Sequence, residues 1–341
     1  MSSTSRGWNP LNVTVIVCTF NRSELLAKAL ASVASSILPD SVKWEVLVVD
    51  NNSRDKTREV VDQIRHQHPG RFRYVFEARQ GKSVALNTGI GEARGDVLAF
   101  MDDDVTVEPT WLRKLTAPLV SGEWAGVGGR ILAAEAFSPP RWFRLNEPYD
   151  FGGALFAHFD LGDEPGKLDR APYGANMAFK NGMFDKYGGF RTDLGPRPGS
   201  AIRNEDTEFG RRLLAAGEQL YYEPSAVVYH PVPHERIQKK YFLGWWFDYG
   251  RAEICEVGRK PDVWGIPRRY FSIPKLFGTV LAARAVRWAL SLNPQGRFFW
   301  KTRVWTAAGQ IVEIHRQWRD EEQQEDRPQR KQTVCPERWK K

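Results

Sequence analysis

Four short strand-like runs rich in apolar residues, most followed by a segment of helical periodicity, fill the first hundred residues and leave this chain few folds to choose from. They are "VTVIVCT" (13–19), "WEVLVVD" (44–50), "FRYVFE" (72–77) and "DVLAFMDDD" (96–104). Leu26, Leu30 and Val33 fall at helical spacing after the first run, Val60, Val61 and Ile64 after the second, and "SVALNTGIGEA" (83–93) follows the third. Strand and helix alternating at this spacing specify a mostly parallel α/β sheet flanked by helices, and near-continuous apolar strands suit burial on both faces. Ligands of such sheets bind beyond the carboxyl ends of the strands. The polar clusters "TFNR", "DNNS" and "DDD" fall at those ends.

The triplet Asp102-Asp103-Asp104 is the sharpest of these clusters. Three adjacent carboxylates repel one another and cannot sit unpaired in a dry core. Strand alternation aims Asp102 and Asp104 one way and Asp103 the other. Two converging carboxylates make a hard oxygen site for Mg²⁺ or Mn²⁺. A polar strand end before the helix "EPTWLRKL" explains the triplet as well, when it is taken alone.

Farther on, residues 121–200 are rich in Gly, Pro and aromatics ("GVGGR", "SPPRWF", "FGGALF", "YGANMAF") and read as short strands and long loops, the habitat of a substrate site. Asn204 is placed to cap a helix from Glu205 to Ala216 with Phe209 and Leu213 buried. Beyond 236 the chain reads as helical and rich in Trp, Arg and Lys, and 319–341 is expected to be disordered for want of apolar residues. No stretch reaches the roughly 18 uncharged apolar residues of a membrane-spanning helix. "MSSTSRGWNPLN" lacks a secretory core, and Cys18, Cys255 and Cys335 suit reduced thiols in a cytoplasmic protein.

The net charge of +8 is unevenly placed. Residues 236–341 hold about 22 Lys and Arg against about 11 Asp and Glu, which suits an anionic membrane surface, an anionic substrate or a solvated face with no partner. No nucleic-acid motif accompanies the charge, so nucleic acid is not expected as a partner. On a helical wheel from Ile273 to Leu292, Phe277, Leu281, Ala285, Trp288 and Leu292 share a stripe edged by Arg284 and Arg287. Such a helix either docks on a membrane interface or packs on the rest of the protein.

Read in order, "VIVCTFNR", "VLVVDNNSRDKT", "LNTGIGEARGDVLAFMDDDV" and "RNEDTEFGRRL" resemble the family 2 glycosyltransferases, inverting enzymes of the GT-A fold. The resemblance covers roughly 12–235 and implies a catalytic domain with a nucleotide-sugar half (12–120) and an acceptor half (121–235). A helical basic region (236–318) and the tail follow. It implies that Thr19, Asn21, Arg22 and Glu24 line the base and ribose pocket, and that Asp50 accepts a hydrogen bond from the base, with Asn52 and Ser53 shaping the turn. A carboxylate there suits the N3–H donor of uracil, hence a UDP-sugar. Lys82 and Asn87 face the same cleft, Asp102 and Asp103 belong to the nucleotide-sugar site, and Asp102, Asp104 and His230 hold Mn²⁺ or Mg²⁺. An isolated His230 also reads as a structural histidine.

The resemblance places the base that removes the acceptor's proton in "NEDTEF", as Asp206, with Glu205 orienting the acceptor or the base. A helix N-terminus favours a carboxylate there, although acidic residues favour first turns in any case. On the acceptor side it points to Gly174, Ala175 and Asn176. Trp142, Tyr149, Phe151 and Tyr173 are candidates to stack on sugars or, equally, to pack a core. The Q-x-x-R-W motif and membrane helices of processive synthases are absent, and "WWFDYGRAE" (245–253) resembles the helix after the catalytic region of non-processive bacterial members. The expected activity is transfer of one sugar to a saccharide or lipid-linked acceptor in surface-polysaccharide or glycolipid synthesis, at the cytoplasmic face of the membrane. A catalytically silent carbohydrate-binding scaffold is the alternative. A sugar nucleotidyltransferase would need a Gly-rich triphosphate loop that "TFNRSE" lacks, and "GVGGR" is not a dinucleotide fingerprint.

Overall fold

The computed structural model describes residues 11–120, 122–134, 158–257 and 276–325, together with 140, 142, 143, 149 and 151. Strands β1 (Leu11–Thr19), β2 (Val42–Asp50), β3 (Phe72–Phe76) and β4 (Val97–Asp102) alternate with helices α1 (Ser23–Ala34), α2 (Thr57–Gln67) and α3 (Lys82–Glu92). The four strands are parallel in the order β3-β2-β1-β4. Their apolar runs are buried on both faces, as at Val15, Ile16, Val17, Leu47, Val48 and Leu98, because helices cover both sides. The α/β expectation holds here, element by element.

Beyond β4 the sheet turns mixed. After β5 (Thr106–Val107) and α4 (Trp111–Val120) come β6 (Gly126–Ala133), β7 (Gly166–Leu168), β8 (Met177–Lys180), α5 (Gly182–Tyr187), α6 (Glu205–Ala215) and β9 (Leu220–His230). β8 joins β4 antiparallel, and the order continues β6-β9-β5, with β7 on β9. β6 and β9 run parallel, but their register jumps from Gly129↔Glu223 to Arg130↔Val227, so β9 bulges between.

Strand order reverses around β1, which lies between β2 and β4, and the register sets Cys18 beside Asp102 at the two carboxyl ends. That switch point is where a doubly wound sheet opens a crevice.

The C-terminal part is helical: a 3₁₀ turn at His234–Ile237, α7 (Lys239–Val257), a π turn at Leu276–Leu281, α8 (Ala282–Leu290) and α9 (Pro294–Glu325). α9 extends seven residues past the expected start of the tail, and 326–341 lie outside the described residues. The expected amphipathic stripe packs on α9. Trp288 meets Trp305 edge to face at 6.2 Å, and Arg284 donates to the Arg303 carbonyl. The packing stops at Trp288: Leu292, the last residue of the stripe, is exposed, as is Leu290, while Ile273 and the Phe277 side chain are outside the described residues. No helix among the described residues is long and apolar enough to cross a membrane.

Candidate active site

The crevice at the switch point is a cleft of about 1040 Å³, floored by the ends of β1 and β4 and walled by the loop at 169–175, the start of α6, His230 and α7. Thr19, Arg22, Lys82, all three aspartates of the triplet, Tyr173, Gly174, Ala175, Glu205, Asp206 and His230 line it, so four distant sequence motifs converge.

β4 ends at Asp102 and the chain turns, which spreads the triplet over three environments. Lys82 Nζ lies 2.9 Å from Asp102 Oδ1 and 3.4 Å from Glu205 Oε1, tying the two acidic motifs together. Burial opposes charge on Asp102, yet the Lys82 ammonium outweighs it and holds that carboxyl below its ordinary range. Glu205 is pushed up by burial first, with Lys82 opposing and Asp206 adding to the shift. Arg22 Nη1 reaches Asp103 Oδ1 and Asp104 Oδ2, both at 3.1 Å. Burial, reinforced by Asp104, pushes Asp103 up to about 6 against the pull of Arg22.

One donor set remains open to a cation. Ligand atoms of Asp102, Asp104 and His230 lie within 4.8 Å of one another. Asp104 Oδ1 is buried with no hydrogen-bond partner, 3.5 Å from His230 Nε2. His230 Nδ1 lies 2.7 Å from the Pro231 carbonyl, which can only accept. Nδ1 therefore carries a proton, which leaves Nε2, facing the aspartates, as the nitrogen able to ligate an ion. Two carboxylates, one with an orphaned buried oxygen, and an imidazole nitrogen fit a divalent ion such as Mn²⁺ or Mg²⁺.

Across the cleft, α6 begins at Glu205 after Asn204, which holds a left-handed φ of +77°. Both oxygens of Asp206 are pinned by backbone: Gly174 N–H donates to Oδ2 at 2.6 Å and Thr207 N–H to Oδ1 at 2.7 Å. Each oxygen keeps a further lone pair, so the group is oriented and still able to accept a proton.

Several expected residues are not brought to the cleft, for physical reasons. Asp50 accepts from Ser53 N–H and the Tyr74 hydroxyl, 2.9 and 2.8 Å away, and braces a turn. Asn21 accepts from Arg54 N–H, and its own N–H donates to Ser53 Oγ; Asn52 donates to the Ala78 carbonyl. Both asparagines hold positive φ, which Asn tolerates better than most residues, and both stitch neighbouring loops together. Glu24 is exposed on the first turn of α1. Asn87 brackets the Phe190 backbone, donating to its carbonyl and accepting from its N–H.

Asn176 is fully buried and belongs to the β6–β9 bulge. It donates to the Arg130 and Ala226 carbonyls that the register jump frees, and accepts from Trp111 Nε1 at 2.8 Å. Trp142 packs edge to face on Phe242 and Phe298 in an aromatic cluster, and Tyr149 packs on Phe299. Of the four candidate stacking rings, Phe151 and Tyr173 line the cleft.

The sequence reading passed over Arg197, Arg203 and Arg236 in the wall, and Tyr241, Trp245, Trp246 and Tyr249, all supplied by α7. The i, i+1, i+4 spacing of Trp245, Trp246 and Tyr249 in "WWFDY" is the signal that places three rings along one side of a helix.

Comparison with known proteins bears directly on this cleft. The profile of Glycosyl transferase family 2 matches residues 14–188. Succinoglycan biosynthesis protein ExoM of Rhizobium meliloti is 31% identical over 229 residues, 66% of this chain and 69% of the relative. Glycosyltransferase AglE of Haloferax volcanii is 29% identical over 270 residues, 79% of each chain. The mannosyltransferase PcManGT of Pyrobaculum calidifontis, solved with GDP-Man and Mn²⁺, shares the fold with a TM-score of 0.59 and 20% identity, over 89% of this chain and 86% of that one. The chain is thus a glycosyltransferase and belongs to glycosyl transferase family 2.

Proposed function

We propose that this glycosyltransferase moves one sugar from a nucleoside-diphosphate donor to a saccharide hydroxyl in a single in-line displacement that inverts the anomeric centre. Asp206 is the base. It takes the acceptor hydroxyl's proton as the new C–O bond forms and the bond to the diphosphate oxygen breaks, and the electron pair leaves with the nucleotide. The observation that supports this reading is that Asp206, pinned by the Gly174 and Thr207 amides, opens on the same cleft as the Asp102–Asp104–His230 donor set.

Asp102, Asp104 and His230 would hold Mn²⁺ or Mg²⁺, whose charge offsets that of the departing diphosphate. Lys82 bridges the donor floor and Glu205, and so sets the spacing between the two carboxylate groups. Arg22 keeps Asp103 and Asp104 from repelling each other before a donor arrives. UDP-sugars are the first donor class to assay. GDP-sugars come second, because Asp50, the residue expected to read uracil, is not in the cleft and PcManGT holds GDP-Man.

The relative named for succinoglycan biosynthesis supports an acceptor that is a growing saccharide, free or lipid-linked, in surface-polysaccharide or glycolipid synthesis. Exposed Leu290 and Leu292, between Arg284 and Arg287 of α8 and Arg297, Lys301 and Arg303 at the start of α9, support contact with the cytoplasmic face of an anionic membrane. The test is nucleotide release from a panel of UDP- and GDP-sugars with Mn²⁺. Release that EDTA abolishes is expected. Failure of every donor, with and without Mn²⁺, would overturn the reading in favour of a silent carbohydrate-binding scaffold.

A further inference from the structure

We infer that α7, which lies outside the segment matched by the family profile, builds the subsite that grips the acceptor's pyranose ring, with Trp245, Trp246 and Tyr249 as its platform. The inference rests on the sugar-transfer reading above and names residues that reading does not use.

Three observations carry it. First, α7 presents these rings to the cleft as an ordered set. Trp245 and Tyr249, one turn apart, stack at 5.4 Å with 13° between their planes, and Trp246 stands edge-on to both. A pyranose ring has an apolar C–H face and a rim of oxygens, which an aromatic wall with polar tips complements.

Second, the Trp246 indole is 7% exposed and its N–H finds no acceptor among the described residues. Buried indole donors are ordinarily paired, so an oxygen supplied by a ligand is the partner this one lacks.

Third, the platform lies on the base's side of the cleft. Arg211 on α6, the helix that opens with Glu205 and Asp206, pairs with Glu256 on α7. Tyr173 lines the same wall, and its phenol is pushed up to about 12 by burial first and then by the nearby Asp206 carboxylate. A sugar lying on α7 therefore sits beside the group that deprotonates it, opposite the donor floor.

The experiment uses the full chain and the methyl α- and β-glycosides of glucose, galactose, mannose and N-acetylglucosamine, with binding read by saturation-transfer NMR and calorimetry. Turnover is not required, so the result is separable from that of the nucleotide-release assay. At least one glycoside should bind the wild type. Trp246→Phe, which keeps the ring and deletes the donor, should weaken it about tenfold. Trp245→Leu and Tyr249→Leu should weaken it at least as much. Mn²⁺ binding and cooperative urea unfolding should match wild type in all three variants. Undiminished glycoside binding in the variants, or no binding of any glycoside by the wild type, would overturn the inference. Loss of nucleotide release with glycoside binding intact would instead indict the transfer reading alone.

Discussion

The backbone N–H of Gly174 donates to Oδ2 of Asp206 at 2.6 Å, and a Cβ added to that glycine would stand 3.0 Å from the same oxygen. The loop at 173–175 and the first turn of α6 thus fix one carboxylate between them, and no side chain longer than hydrogen fits at 174 without moving it. Gly174→Ala should lower the transfer rate about ten- to a hundredfold through misplacement of the base. Asp206→Asn, which keeps the shape and removes the proton acceptor, should lower it by about a thousandfold or more. Neither substitution touches the metal donors, so nucleotide binding should survive both. Single-turnover kinetics beside a nucleotide titration check the pair, and an Asp206→Asn enzyme with full turnover would remove Asp206 from the mechanism.

The cation donors make a separate prediction. His230 contributes Nε2, oriented by the Pro231 hydrogen bond at the other ring nitrogen, and Asp104 an orphaned buried oxygen. His230→Ala and Asp104→Asn should each raise the Mn²⁺ concentration needed for half-maximal activity by about tenfold or more. Direct Mn²⁺ titration by electron paramagnetic resonance should move in parallel. Unchanged Mn²⁺ dependence in both variants would place the ion elsewhere.

Asn176 distinguishes an architectural amide from a substrate-binding one. Its removal leaves Trp111 Nε1, the Arg130 carbonyl and the Ala226 carbonyl without their partner in a site closed to water. Asn176→Ala should cost about 3 kcal/mol or more of stability, since each buried group left unsatisfied costs about 1–3 kcal/mol. Urea unfolding measures the loss. Activity per folded molecule with saturating acceptor should change far less, the reverse of what an acceptor-binding residue would show.

That contrast shows how far the sequence could be read. The parallel half was legible because two-sided burial writes Val15-Ile16-Val17 and Val46-Leu47-Val48 as continuous apolar runs, and because polar residues can end such strands only at the sheet's edge. Asp104, His230 and Asp206 were legible as candidates for the cleft they line because each stands in a recognisable motif at a strand end or a helix start. Asn87, Asn176 and Asp50 stand in the same motifs, yet backbone groups released by turns and a bulge claimed them. Sequence does not show which carbonyls a register jump will orphan. The antiparallel half was illegible for a related reason: "GVGGR" has no alternation, and its glycines serve close packing. A Cβ on Gly129 would collide with the Asn176 amide and the Ala226 carbonyl. "WWFDYGRAE" was legible as a helix but not as a wall of the cleft, because that contribution depends on tertiary folding, a hundred and forty residues beyond the triplet.

Glu77 yields a pH prediction away from the cation donors. Its side chain accepts from Arg79, through backbone and guanidinium, and from the Thr88 hydroxyl, so it braces the turn that leads into α3 and Lys82. The Arg79 bonds, with Thr88 assisting against burial, hold its carboxyl down at about 2. A depressed carboxyl stabilises the fold fully above its unfolded value near 4.5 and loses that contribution as pH falls through about 2. The stability gap between wild type and Glu77→Gln should therefore be constant above pH 5 and close as pH drops toward 2. Urea midpoints measured across that range check it, and a gap that widened on acidification would contradict the sign.

The last prediction concerns how α7 is held. Gly250 of α7 packs against the Thr306 carbonyl of α9, and Gly309 of α9 packs against the Phe247 carbonyl of α7, so close that a methyl on either glycine would overlap backbone. The crossing is locked beside this contact by the buried Glu313 carboxylate. It accepts from Arg251 Nε at 3.1 Å and from the Cys255 thiol at 3.3 Å, both on α7, and pairs with Arg316 on its own helix. Removing that carboxylate would leave half-buried Arg251 with Asp248 as its remaining ion-pair partner among the described residues, a costly state. Gly250→Ala and Gly309→Ala must instead push the two helices apart, by an amount backbone cannot absorb in place. Both should lower the unfolding midpoint, and because α7 forms one wall of the cleft, both should lower acceptor-dependent transfer more than donor hydrolysis. Rates of the two reactions, measured side by side on the same preparation, separate displacement of that wall from general loss of fold. Equal losses in both would show that α7 stabilises the enzyme without shaping its acceptor side.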